Sequence, residues 1–270
     1  MVLVTKQSGE LEEFRPEKVE NALIRAGVNR GLAADIISEV TRRLYDGITT
    51  DEIYGMAFRL LDEHDDPAAT RYGLKRAIMR LGPSGFPFEK FFSKVLEAYG
   101  FKTAVNQKMR GACVEQEVDI VAEDGRNRYM IECKYHNSQG VYTGLKEAMY
   151  TFARFQDLVD GGNDFTVPWL VCNTKCSSEA IKYGKCKGMN LTSWGYPPKG
   201  SLQELIDNKR VYPVTILRSV DDGVKNKLAS SGIILARDLM GRDFQGLKSI
   251  TGLSERKLKD VLKEVEGILV

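Results

Sequence analysis

Apolar positions along the chain change their period twice. From residue 16 to residue 81 they recur at helical spacing, as Val19, Leu23 and Ile24, then Ile36, Ile37, Val40 and Leu44. Ile53, Met56, Ala57, Leu60 and Leu61 follow, and then Tyr72, Leu74, Ala77, Ile78 and Leu81. Each set draws one apolar stripe along a helix, so four helices are predicted. Val2-Leu3-Val4, a polar turn at Gly9 and Phe14 predict a short hairpin ahead of them. Pro16 suits a first helical turn, Thr50 is placed to cap the third helix, and Asp66-Pro67 opens the fourth. Gly82-Pro83-Ser84-Gly85 then breaks the pattern and marks a domain boundary.

Beyond the break one more helix is predicted over 88–99, with Phe88, Phe91, Phe92, Val95 and Leu96 inward and Gly100 closing it. The period then shortens to that of strands over 101–106, 113–122 and 128–134. A helix over 144–160, a strand over 166–172, a helix over 177–187 and a short strand near Met189-Asn190-Leu191 complete a mixed α/β layout. Tyr196 to Gly200 reads as a loop before a short helix that starts near Ser201. Past Pro213 the chain returns to small helices with short turns. The expected organisation is multidomain α/β, with domains at 1–82, 85–214 and 215–270.

Composition narrows the classes. The 270 residues are 43% hydrophobic and carry a net charge of +2, so any nucleic-acid surface is a local patch rather than a property of the whole molecule. No apolar run is long enough to span a bilayer and the N-terminus lacks the form of a secretory signal, so a cytoplasmic protein without membrane partners is expected. The odd cysteine count, Cys113, Cys133, Cys172, Cys176 and Cys186, favours free thiols. No His or fourth Cys stands at zinc spacing from the last three. There is no phosphate loop of the Gly-x-x-x-x-Gly-Lys-Ser/Thr kind, which argues against an ATPase.

Candidate chemistry concentrates in Asp119 to Lys134. Glu132 and Lys134 share a strand face because side chains alternate. A hairpin through Glu123, Asp124 and Gly125 brings Asp119 back beside them. Two carboxylates and an ammonium on one rim make a magnesium site with a basic group beside it. The same residues read equally well as a half-exposed strand face and a turn. His136 lies just past this segment and is expected to orient its loop, and a solvated helix face is as good a reading as a DNA channel for Lys182 to Lys187.

The order helix with Glu89, glycine turn, strand with Asp119, tight hairpin and strand with Glu132-Cys133-Lys134 resembles the restriction-endonuclease-like superfamily. Within it the Mrr-type and Holliday-junction-resolvase branches are nearest. The resemblance implies an α/β/α core around a mixed sheet and a phosphodiester-cleaving centre. Asp119, Glu132 and the Cys133 carbonyl would hold Mg²⁺, Lys134 would position the attacking water, and Glu89 would hold a metal-bound water. Gln139 and Lys146 would contact the scissile strand.

Val4-Thr5-Lys6-x-x-Gly9, then Glu12, Phe14, Glu17-Lys18 and Ala22, resembles the ATP-cone, as do Tyr45 to Ile53 and Ala69-x-x-Tyr72. That resemblance implies a helical regulatory domain with a short hairpin that binds ATP or dATP. Lys6 and Lys18 would meet phosphates, Glu12 the base or ribose, and Thr50 an oxyanion at a helix start. Gln7 stands where the family often has Arg, and Tyr54 where a histidine is common. Leu247 to Ser254 with Lys257 and Leu258 is similar to a helix-hairpin-helix, whose Gly252 turn would face a DNA phosphate or a protein surface. Ser254 replaces that motif's second glycine. The combined expectation is a Mg²⁺-dependent DNA endonuclease tuned by adenine nucleotide, acting on duplex or branched DNA, with homodimerisation among its expected states. The alternative is a non-catalytic, nucleotide-responsive DNA-binding regulator.

Overall fold

The computed structural model describes residues 2–81 and 88–270, and the breaker cluster at 82–85 lies outside the described residues. The chain opens with β1 (Leu3–Thr5) and β2 (Leu11–Glu13), the expected hairpin, followed by α1 (Pro16–Arg25) and α2 (Arg30–Arg42). A short β3 (Ile48–Thr49), which the periodicity is too brief to reveal, pairs parallel to β1 and leads straight into α3 (Thr50–Asp62). The cap of α3 is Thr49 rather than Thr50. Its hydroxyl accepts from the Glu52 amide while Glu52 reaches back to the Thr49 amide, a reciprocal arrangement that Thr50, already helical, cannot make. The expected fourth helix is two, α4 (Asp66–Tyr72) and α5 (Leu74–Ile78). They part at Gly73, where a Cβ would lie 3.1 Å from the Thr70 carbonyl oxygen.

The central elements are α6 (Phe88–Ala98), β4 (Lys102–Arg110), β5 (Glu115–Glu123), β6 (Arg128–Lys134), β7 (Tyr142–Thr143) and α7 (Leu145–Asp160). They continue with β8 (Val167–Cys172), β9 (Lys175–Cys176), α8 (Ser178–Lys187), β10 (Asn190–Thr192) and α9 (Leu202–Lys209). Helices α10 (Asp222–Ser230), α11 (Phe244–Thr251) and α12 (Glu255–Leu269) end the chain, with short 3₁₀ turns at Val214–Ile216 and Ala236–Leu239. Two compact units divide these elements. One comprises Met1–Ile78, Val214–Ser231 and Ala236–Val270; the other comprises Met79–Pro213 and Gly232–Leu235.

The second unit is a mixed five-stranded sheet in the order β10-β8-β6-β5-β4. The pairs β4/β5 and β5/β6 are antiparallel, whereas β6/β8 and β8/β10 are parallel. Alternation along the strands supplies two apolar faces. Tyr129 and Trp169 join Phe92 of α6 and Phe101 in an aromatic cluster on one face, with Phe92 and Trp169 edge-on at 5.7 Å. On the other face Met130 packs with Leu158 of α7, and Leu170 with Ala148 of α7 and Ala180 of α8. The layers are α/β/α.

In the first unit the helices close over Leu23, Ile36, Val40, Ile48, Ala57 and Leu61. The C-terminal helices belong to the same unit, and polar contacts tie them to its N-terminal part. Arg71 donates from Nε to the Ala26 carbonyl at 2.7 Å and from a terminal nitrogen to the Gly267 carbonyl at 3.1 Å, so it joins the end of α1 to α12. Gly267 permits the approach, since a Cβ there would sit 3.0 Å from Pro67 of α4. Arg218 pairs with Asp62 at 2.6 Å and Asp66 at 2.9 Å, while its own amide and that of Ser219 donate to Glu264.

Hydrogen bonds from a charged donor contribute about 1.5–3 kcal/mol each. Arg71→Ala is therefore expected to lower the stability of this unit by about 2–3 kcal/mol. It is also expected to speed amide exchange in α12, and Arg71→Lys to recover only part of the loss because one ammonium does not span both carbonyls. Unchanged exchange in α12 would show that Arg71 does not hold that helix.

Candidate active site

Strands β5 and β6 are paired from Glu123↔Arg128 up to Ile120↔Ile131, and the pairing stops there. Asp119 and Glu132 are the next residues on each strand. In place of a ladder bond, Asp119 accepts the Cys133 backbone N–H through its carboxylate at 2.7 Å. On its other side the β4/β5 register skips the position facing Asp119. That position is Asn106, whose φ of 52° lies in the left-handed region that asparagine tolerates best after glycine. The backbone around Asp119 is thus released on both flanks, and its side chain turns toward β6.

Both carboxylates are largely removed from water. Burial raises the Asp119 pKa against the lowering effect of the Cys133 N–H and of Arg154. Glu132 is pushed up to about 7, first by burial and then by the Asp119 charge, and its ion pair with Arg154 does not offset these. Lys134, exposed two residues on, acts in the same direction as Arg154. Glu89, half-buried on α6, is raised by burial, with Asp119 contributing a smaller like-charge effect. Cys133 is half-buried, and desolvation drives its thiol well above its ordinary value, so it offers a backbone carbonyl and not a thiolate. Asp119, Glu132, Lys134 and Glu89 therefore share one electrostatic environment.

Among the described residues no group of three or more His, Cys, Asp or Glu side chains could hold a metal ion. What the site offers is a pair of half-buried, mutually repelling carboxylates. Their oxygen chemistry fits Mg²⁺, which takes one or two carboxylates and keeps several waters. Burial lifts Glu132 more than the Asp119 charge does, and a cation beside the pair would act against both.

Arg154 was not among the expected residues. Ala148, Thr151 and Leu158 mark the buried stripe of α7. Arg154 falls between Thr151 and Leu158 at helical spacing, and a guanidinium on an apolar stripe was the signal available. It meets Glu132 and Gln116 and lies 5.4 Å from the Tyr150 ring centre. Gln139 and Lys146 sit in the β6–β7 connection and on the outer side of α7, and no contact joins either to the acidic pair. His136 is built into the loop. Its amide donates to Asn173 at 2.8 Å and its Nε2 meets the Thr143 hydroxyl at 2.8 Å.

In the first unit Lys6 and Lys18 converge on Glu12, with Lys6 at 2.6 Å. Hydrogen bonds from Lys18 and then Lys6 hold the Glu12 carboxyl down at about 2. Gln7 is exposed in the hairpin turn, and Thr50 begins α3. Tyr54 stacks on Tyr72 at 5.0 Å and carries the Arg76 guanidinium over its ring at 3.7 Å, so an aromatic–cation stack stands at the position where a histidine was expected from the family. Near the C-terminus Gly252 takes φ 71° between α11 and α12, and Ser254 accepts the Lys257 amide at 3.3 Å. A short turn at Gly252–Ser254 joins α11 to α12.

Residues 2–77 match the model of the ATP cone domain, a fold whose ligand class is adenine nucleotide, and residues 212–269 match that of the AF1548-like C-terminal domain. The chain is 47% identical over 177 residues to an uncharacterized protein of Archaeoglobus fulgidus, spanning 66% of this chain and 99% of that protein. It is 46% identical to the protein in the crystal structure of AF1548, a protein of unknown function, with a TM-score of 0.58 over 67% of this chain and 96% of that one. The chain belongs to the AF1548-like family and carries an ATP cone at its N-terminus. No described helix is long and apolar enough to cross a membrane.

Glu132 ionises near 4.5 when unfolded and near 7 in the fold. Between those values the folded protein keeps a proton that the unfolded chain has released, so this group's contribution to stability is full below the lower value and is lost as pH rises. In EDTA, Glu132→Gln is expected to gain on the wild type between pH 5 and pH 8 by on the order of 2 kcal/mol. Urea unfolding at the two pH values measures it, and an equal difference at both would mean that Glu132 is not shifted.

Proposed function

We propose that the protein is an adenine-nucleotide-regulated, Mg²⁺-dependent DNA endonuclease. The observation that carries this reading is the half-buried Asp119–Glu132 pair at the point where β5 and β6 part, with Glu132 raised to about 7 and Lys134 on the adjoining rim. Mg²⁺ held there would acidify a bound water and screen the phosphate charge. Asp119, fixed by the Cys133 amide, presents its second carboxylate oxygen at a set position. Glu132 is steered by Arg154. Lys134, at the exposed end of β6, would orient the attacking water or stabilise charge that builds on the phosphorus oxygens. Glu89, on α6, would accept from a metal-bound water. In the cone, nucleotide phosphates would take Lys6 and Lys18 from Glu12. Regulation requires that nucleotide bind two states of the protein unequally.

The Arg154–Glu132 ion pair favours a second reading. A carboxylate already matched by a guanidinium has less call for a cation, and the same fold without cleavage would be a nucleotide-responsive DNA-binding regulator.

Incubation with supercoiled plasmid and with branched DNA, in Mg²⁺ or EDTA and with or without ATP, tests the choice. Wild type is expected to cut only with Mg²⁺, and Glu132→Ala and Lys134→Ala to lose on the order of a hundredfold or more in rate. Cutting that survives both substitutions rejects the site, and DNA binding with no cutting under any condition selects the regulator. For the cone, calorimetric titration with ATP is expected to give about tenfold weaker binding in Lys6→Ala, the size of one charged hydrogen bond. Equal affinities would remove Lys6 from the nucleotide site.

A further inference from the structure

Among the described residues, twelve large apolar side chains stay exposed, and five of them fall in one stretch: Val141, Tyr142, Leu145, Met149 and Tyr150. Single exposed apolar residues are ordinary, but a cluster marks a contact surface. Leu145 and Met149 form one row on the outer side of α7, and Lys146 and Tyr150 form the next. Tyr142 stands just before them in β7. Each of these two rings has a cation beside it: the Lys175 ammonium lies 6.0 Å from the Tyr142 ring centre, and the largely buried Arg154 guanidinium 5.4 Å from that of Tyr150. The acid within the stretch, Glu147, is half-buried and accepts the Gly144 amide at 2.9 Å, while Lys146 and Lys175 are exposed.

We propose that Tyr142 and Tyr150 form a stacking platform for unpaired DNA bases, with Lys146 and Lys175 meeting the phosphates of the same strand. The platform rests on the reading of Asp119 and Glu132 as a DNA-cleaving centre and names its substrate class: single-stranded DNA, or the unpaired arm of a branched one. Two features select this occupant. Aromatic rings alternating with cations match the π-faces and phosphates of a single strand, whereas paired bases in a duplex have no face to offer. Lysine is depleted from protein–protein contacts yet frames this patch. Arg154 touches both Tyr150 and Glu132, so a base on Tyr150 would lie one side chain from the acidic pair.

Anisotropy titrations of the full chain in EDTA, with a fluorescein-labelled oligothymidylate and a duplex of equal length, test the platform without any need for cleavage. Wild type is expected to prefer the single strand. Tyr142→Ala and Tyr150→Ala should each weaken that binding about tenfold and leave the duplex unaffected, while the Phe variants keep the affinity because stacking needs the ring and not the hydroxyl. A 2-aminopurine placed in the strand should be quenched by wild type and less by either Ala variant. Equal binding of both DNAs, or Ala variants that bind the strand like wild type, would overturn the platform. So would concentration-dependent dimerisation that Tyr150→Ala abolishes, which would assign the patch to a second copy of the chain. Loss of the platform with Mg²⁺-dependent cutting intact leaves the nuclease standing, and stacking by a protein that cuts nothing supports the platform alone.

Discussion

The Asp119 carboxylate takes the place of a strand. Where β5 and β6 stop pairing, the Cys133 amide would be left without its ladder partner, and a buried amide without an acceptor costs roughly 1–3 kcal/mol. Asp119 supplies that acceptor at 2.7 Å. One bond therefore does two things. It ends the ladder without an orphaned donor, and it pins an anion in a partly dry cleft beside Glu132. Burial first and that fixed charge second raise Glu132 to about 7, the same charge adds a smaller effect to the burial of Glu89, and Arg154 from α7 pairs with Glu132.

The same constraint explains the distortion in β4. A regular residue opposite Asp119 would draw its backbone into the β4/β5 ladder. Asn106 in the left-handed region interrupts the pairing there, and Gln107 turns its amide back to the Val105 carbonyl at 2.7 Å. Irregular backbone on an otherwise regular sheet is local strain that surrounding structure must offset, and such positions gather at working sites. The exposed aromatic stretch at the start of α7 belongs to the same region through Arg154, which couples the outer surface of that helix to the acidic pair.

In the other unit the arrangement is one of linkage. Lys18 lies in the first turn of α1, beside Glu12, and the Ala26 carbonyl at the far end of that helix accepts from Arg71, which also holds Gly267 of α12. A rigid helix thus runs from the lysine–glutamate cluster to the contact with the C-terminal helices. The Lys18–Glu12 pair stands at one end of that rod and the Arg71 contacts at the other.

Much of this was legible in the order of residues. Period-two and helical patterns located the strands and helices, because burial of one face imposes its period on the side chains. Asp119, Glu132 and Lys134 were legible through strand alternation and the Asp124-Gly125 turn. The ATP cone was legible through its hairpin glycine and lysines. Other features depended on contacts between segments far apart in sequence. Thr49, rather than Thr50, caps α3 because β3 pairing sets where extended backbone ends. The helix expected through Leu81 divides at Gly73. Arg154 finds Glu132 across 22 positions, and the Glu132 pKa follows from burial that no local pattern records. The sequence by itself determined which elements form and which charges they carry; tertiary structure decided which of those charges lose water and face one another, because desolvation and charge–charge energies depend on distance in space, to which spacing along the chain is blind.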